Sequence, residues 1–103
     1  MNPSQRYTKK PVTIDAAHWD GTPEGAIPII DWILRFDGTA RWHEEYIYLD
    51  VNEYVTVPTH IAINTLEGTV RADHGDYVIK GVKDEFYPIK AEIFAATYET
   101  EQT

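Results

Sequence analysis

Arg71, Lys80 and Tyr87 are the residues of this 103-residue sequence whose types could together hold an anion. An arginine fork grips phosphate or carboxylate at two points, a lysine adds a point charge, and an aromatic ring stacks on a base. Trp42, Tyr46 and Tyr48 could extend the group from other outward faces. Such a set suits a small nucleotide-like anion, so Arg71, Lys80, Tyr87, Trp42 and Tyr48 are the candidate ligand-binding residues. The plainer alternative is a solvated sheet face, with basic stems lying over tyrosine rings, or Arg71 paired with Glu67 or Asp73.

Catalysis has little to work with. His18, His43, His60 and His74 show no i,i+4 pair and no metal-ligand spacing. His43 beside Glu44 and Glu45, and His74 between Asp73 and Asp76, fall at expected turns, where such residues are ordinarily solvated. Ser4 is the only serine and stands in the polar start, so no serine triad can form. The absence of cysteine removes thiolate nucleophiles, thiolate metal sites and disulfides. No glycine-rich phosphate loop occurs. The sequence reads as a non-enzyme, with no metal and no cofactor.

The elements that would position these side chains centre on residues 65–99. Asp73-His-Gly-Asp76 reads as a four-residue hairpin loop, since glycine accepts φ > 0 and aspartate bonds its own turn. Closing it pairs Ala72 with Tyr77, Arg71 with Val78, Val70 with Ile79 and Thr69 with Lys80. A second turn at Lys83-Asp84 pairs Lys80 with Tyr87, Ile79 with Pro88 and Val78 with Ile89. In that register Phe86 and Pro88 join the core face, and Arg71, Lys80 and Tyr87 gather on the other. Pro88 cannot donate to a ladder, which makes its strand an edge or turns its N–H side outward.

Elsewhere, Pro11–Trp19 alternates as a strand, and a helix is expected within Glu24–Phe36 with Pro28 in its first turn. Its apolar stripe is Ile27, Ile30 and Leu34, with Ile29, Ile33 and Phe36 beside it. Trp32 on this helix is expected at the core or its rim, whereas Trp19 and Trp42 could mark a partner surface. Arg41–His43 and Tyr46–Val51 read as a hairpin around Glu44-Glu45, with Ile47, Leu49 and Val51 facing in. A short strand at Tyr54–Val57, a strand at Ile61–Leu66, a helical turn at Lys90–Phe94 and a last strand at Ala95–Glu99 follow. The expected architecture is α+β: one helix packed on a mainly antiparallel, strongly twisted sheet that could curl toward a partial barrel. The chain is one domain, 1–103, with frayed ends at 1–10 and 100–103.

Gly75-Asp76-Tyr77-Val78-Ile79-Lys80-Gly81, Phe86-Tyr87-Pro88 and Ile93–Glu99 resemble the C-terminal half of small phage and prophage proteins that carry a Pro-Gly-Asp-Tyr motif. Lys9-Lys10-Pro11-Val12 and Trp19-Asp20-Gly21 resemble their beginning, so the likeness spans roughly two thirds of the chain. His74 stands where the motif has proline, which loosens the turn. The resemblance implies a phage or prophage origin, and brings no established activity and no catalytic residue.

Composition bounds the partners. Net charge is −8, from 17 acids against 9 bases, which argues against long nucleic acid, where lysine and arginine must replace counterions. It suits solubility, or an acidic face toward a basic protein through acids such as Glu44, Glu45 and Glu53. Seven tyrosines make a sheet face that could serve a target protein or a homo-oligomer plausible. No apolar run approaches the ~18–20 residues of a membrane span, and the start lacks a signal-peptide core; the expected compartment is the host bacterial cytosol. Two functions follow as expectations. One is a phage-borne binding protein that sequesters a small anionic nucleotide-like ligand, a sponge against host defence. The other is an acidic interaction module that inhibits a host factor or serves as a virion accessory protein.

Overall fold

A computed structural model describes residues 2–100. Residues 2–14 carry no helix or strand and are almost wholly exposed. The frayed end expected at 100–103 lies, apart from Thr100, outside the described residues. Between them run β1 (Asp15–His18), α1 (Pro23–Arg35), β2 (Ala40–His43), β3 (Tyr46–Asp50), β4 (Glu53–Val57), β5 (His60–Thr65), β6 (Gly68–Ala72), β7 (Tyr77–Lys80), β8 (Phe86–Ile89) and α2 (Ala91–Thr97). The fold is α+β and mostly sheet. Every pairing is antiparallel, in three sheets of order β1-β7-β8, β2-β5-β6 and β3-β4, and no closed barrel forms among the described residues. Among the described residues no helix is long and apolar enough to cross a membrane.

Local chemistry fixes α1. Thr22 caps it, its Oγ1 accepting from Gly25 N at 2.9 Å. Asp20 Oδ1 accepts in turn from Thr22 Oγ1 at 2.7 Å and Thr22 N at 2.9 Å. These bonds, the hydroxyl's first, hold the Asp20 carboxyl below its usual range. Pro23 occupies the first turn, so Pro28 lies inside the helix and removes one intrahelical bond there. The buried face is Ala26, Ile29 and Ile33, rotated from the expected stripe; Ile27 and Leu34 are 60% and 50% exposed. That face packs on Trp19, Ile61, Ile63, Ala72, Val78 and Phe86. Trp19 is fully buried, with Nε1 donating to Thr22 O at 2.8 Å, and so cannot mark a partner surface. Trp32 packs against the core edge-on to Phe86.

The loop at 73–76 is not a hairpin. Gly75 N donates to Trp19 O, and Trp19 N to Asp76 O, both at 3.0 Å, which draws the loop to the end of β1. The His74 ring lies against Gly21, where a Cβ would come within 2.6 Å of it. The chain therefore crosses from one sheet to another: β6 pairs with β5, and β7 pairs with β1 and β8. β8 is an edge strand, as Pro88 requires. Its hairpin closes with Gly81 N donating to Glu85 O at 2.8 Å around a three-residue loop. Lys80 consequently faces Phe86 and not Tyr87, one residue from the expected register. At the C-terminus, Ala95–Glu99 is not a strand; α2 extends through Thr97, and Phe94 stacks on Tyr77 with centroids 3.8 Å apart.

Residues 40–63 form one long hairpin. Ala40↔Ile63 through His43↔His60 and Tyr46↔Val57 through Asp50↔Glu53 keep a single register across the break at Glu44-Glu45 and Pro58-Thr59. Its turn is Val51-Asn52, not Glu44-Glu45, with φ of 39° and 68°, the handedness of a primed hairpin turn. The inner half belongs to the core; the outer half stands away from it. Ile47, Leu49 and Val51 are 61%, 62% and 88% exposed, against the expectation that they face in. The radius of gyration, 16.5 Å, exceeds the ~13 Å of a compact 100-residue domain accordingly.

Two outcomes follow. Ile63→Ala, in the inner half, lowers stability by about 2–5 kcal/mol in denaturant titration. Val51→Gly relieves a β-branched residue at positive φ and raises hydrogen-exchange protection of the β3–β4 amides.

Candidate functional site

The expected cluster does not assemble. Arg71 lies on β6, in a different sheet from Lys80 and Tyr87. Lys80 shares its face with Val78 and Phe86, its side chain 15% exposed; Nζ is 3.0 Å from Asp84 Oδ1 and 4.5 Å from the Phe36 ring centroid. Tyr87 lies opposite Ile79 on the other face of that sheet. Burial, then a hydrogen bond with Tyr98, pushes its phenol pKa up. Trp42 turns inward against the core, its Nε1 buried without a hydrogen-bond partner among the described residues. Tyr48 stands on the outer half of the long hairpin. The one-residue change at 80–87 separates Lys80 from Tyr87, because a slip of one reverses every side chain.

A different cationic row forms on the outer face of β2-β5-β6. Arg41 lies opposite Ala62, and Ala62 opposite Arg71, so the two arginines flank a small residue in one line across three strands. Directly opposed residues share a face, and the intervening positions Trp42, Ile61 and Ala72 pack in the core. The strand spacing sets the two arginine Cα atoms ~10 Å apart. Ala62 between them is buried. Next along the face, the rings of His43 and His60 stack at 5.0 Å and 14°. His60 Nδ1 lies 2.8 Å from Pro58 O. Asn64 Nδ2 donates to Thr39 Oγ1 at 2.6 Å, and Thr69 Oγ1 donates to Asn64 Oδ1 at 2.9 Å.

The charges along this row are unequal. Arg41 makes no ion pair among the described residues. Arg71 Nε lies 2.8 Å from Asp73 Oδ1, with its side chain still 45% exposed. Asp73 is shared: Lys90 Nζ lies 3.4 Å from its Oδ2 and 3.3 Å from Oδ1 of the buried Asp76. The hydrogen bond and charge of Asp76, followed by those of Asp73, raise the Lys90 pKa above the ordinary 10.5. Asp73 is thus divided between two cations, Arg71 and Lys90. Sequence spacing could not disclose Arg41, which is thirty residues away and joins the row only through β5.

A groove beside the 82–84 loop does not suit an anion. Its volume is about 640 Å³, and Asp37, Glu67, Asp84 and Glu85 outnumber Lys83 around a floor that includes Val70 and Phe86. A second, of about 320 Å³, lies between residues 12–16 and α2. Among the described residues no three His, Asp or Glu side chains converge as a metal site would require. Together these features define an α+β domain, mostly sheet. Comparison with family models, curated proteins and solved structures finds no match for the chain.

The Lys90 network has a pH consequence. A lysine whose folded pKa is raised stabilises fully below 10.5 and loses that contribution as pH rises through the folded value. Lys90→Met removes this share of the alkaline stability loss in urea midpoints measured from pH 8 upward.

Proposed function

We propose that the chain is a non-catalytic binding protein for a small anion of nucleotide size, held on the outer face of β2-β5-β6. The alignment of Arg41 and Arg71 across Ala62 carries this reading. Two guanidinium forks approaching from either side of a small residue can share a phosphate, each donating bidentate, charge-assisted bonds. The half-buried His43 ring, stacked on the buried His60, supplies a flat ring beside them, the kind of surface on which a base can stack. Arg71 is kept from the expected set, Arg41 replaces Lys80, and the histidine pair replaces Tyr87. The acidic remainder of the surface repels long polyanions but leaves room for one small ligand. Resemblance to phage proteins supports a nucleotide signal of host defence as the ligand and sequestration in the bacterial cytosol as the role.

A second reading, an acidic module that docks a host or virion protein, draws on the 640 Å³ groove. Its acidic rim and apolar floor suit a basic segment with an apolar residue at its centre. Glu67→Lys would then abolish capture of such a partner and leave nucleotide binding intact.

The test is native mass spectrometry and calorimetry with linear and cyclic nucleotides. We expect an adduct whose affinity drops about tenfold or more with Arg41→Ala and again with Arg71→Ala, as each removes a charge-assisted contact. Lys83→Ala, on the acidic groove, leaves the affinity unchanged. No adduct across the panel, or one indifferent to both arginines, contradicts the reading.

A further inference from the structure

The basic residues of the chain are unevenly placed. Residues 2–14 hold Arg6, Lys9 and Lys10, three of its nine bases, and no acid. They carry no helix or strand, and Tyr7 among them is 87% exposed. An aromatic ring beside an arginine is the composition of an interface anchor. The groove beside the 82–84 loop has the opposite character. Asp84 on its rim is paired with Lys80. Asp37, Glu67 and Glu85 make no ion pair among the described residues and stand around one lysine, Lys83. The floor includes Val70 and Phe86, and Leu66 on the rim is fully exposed. Its 640 Å³ falls within the ~300–1,000 Å³ of sites that enclose a small ligand, room for one aromatic ring and its neighbours.

We propose that this groove receives the arm of a second copy of the chain, with Tyr7 over the floor and the flanking bases against the acids of the rim. The inference rests on the second reading above, a groove for a basic segment with an apolar centre, and names that segment as the chain's own. Complementary charge selects it. Topology sends it to a neighbour. β1 enters its sheet at Asp15, opposite Lys80, so the arm leaves beside the 82–84 loop. From there its root turns away from its own groove. Val12, Thr13 and Ile14 line the cleft with Phe94 and Tyr98, and Lys9 Nζ lies 5.3 Å from the Tyr98 ring centroid. Phe94 stacks on Tyr77, which lies on the face of the sheet opposite to Phe86. An extended chain covers ~3.3 Å per residue, which lets Tyr7 stand up to ~26 Å from Asp15, within reach of a copy packed against the same end. Docking there gives up the Lys9–Tyr98 contact, an exposed cation–π pair. Two copies that exchange arms fill both grooves at once and close the contact about a twofold axis.

Charge reversal separates a second copy from a foreign basic partner. The experiment is sedimentation equilibrium of the full chain across micromolar concentrations. We expect a mass twice 11.8 kDa that dissociates on dilution. Tyr7→Ala raises the dissociation constant about tenfold or more, as loss of an aromatic anchor does. A chain with Arg6→Glu, Lys9→Glu and Lys10→Glu sediments as a monomer. So does one with Glu67→Lys and Asp37→Asn, the asparagine tolerating the φ of 66° at that position. Mixed one to one, these two variants associate again, because each groove then meets an arm of opposite charge. All five positions are exposed, so circular dichroism stays unchanged. A wild-type chain that stays monomeric overturns the proposal. So does a dimer indifferent to these substitutions, or a mixture of the two variants that stays monomeric. A synthetic peptide of lysines around one tyrosine tells this failure from that of the acidic-module reading. Bound by a monomeric chain and released by Glu67→Lys, it leaves that reading standing without the arm; unbound, it removes both.

Discussion

Backbone pairing along residues 40–63 is the constraint on which the rest depends. One register runs through Ala40↔Ile63 and Asp50↔Glu53, so one choice of partner decides four strands. It makes β5 the central strand of its sheet, with Ile61 and Ile63 fully buried against α1 and Trp19. It also places Arg41 in line with Arg71, because both pair with Ala62 of β5. Since the core ends at His43 and His60 while the pairing does not, a ribbon must project.

Charge is organised by the same pairing. The chain is acidic overall, yet the outer face of β2-β5-β6 carries two arginines and two histidines. Asp73, the acid beside this face, is divided between Arg71 and Lys90. Of the two cations expected to act together, Arg71 and Lys80, the second is engaged in the fold. Lys80 is held by Asp84 and the Phe36 ring, and Lys90 ties α2 to the 73–76 loop.

Much of the fold was legible in the sequence. The α+β class, the helix ahead of Asp37-Gly38, the β7–β8 hairpin and the edge position forced by Pro88 all follow from breakers and alternation. The rest depended on partners that local sequence does not name. Asp73-His-Gly-Asp76 has the composition of a hairpin loop, but bonds to Trp19 turn it into a crossing between sheets. Glu44-Glu45 looked like a turn because the true turn, Val51-Asn52, places a β-branched residue at positive φ, against its propensity. A three-residue loop at 82–84, in place of the two-residue turn at Lys83-Asp84, reversed the faces of the last strand. The site was less legible than the fold: Arg71 was visible, Arg41 was not, and only strand order joins them.

The most direct measurement of this account is a set of interstrand NOEs in the full chain. The pairing described here predicts backbone contacts from Ala62 to both Arg41 and Arg71, and from Val78 to Ala17 and Pro88. Contacts from Arg71 to Val78 instead, with none from Ala62 to Arg41, would restore the local hairpin at 73–76. That result would dissolve the arginine row and contradict the account at its base.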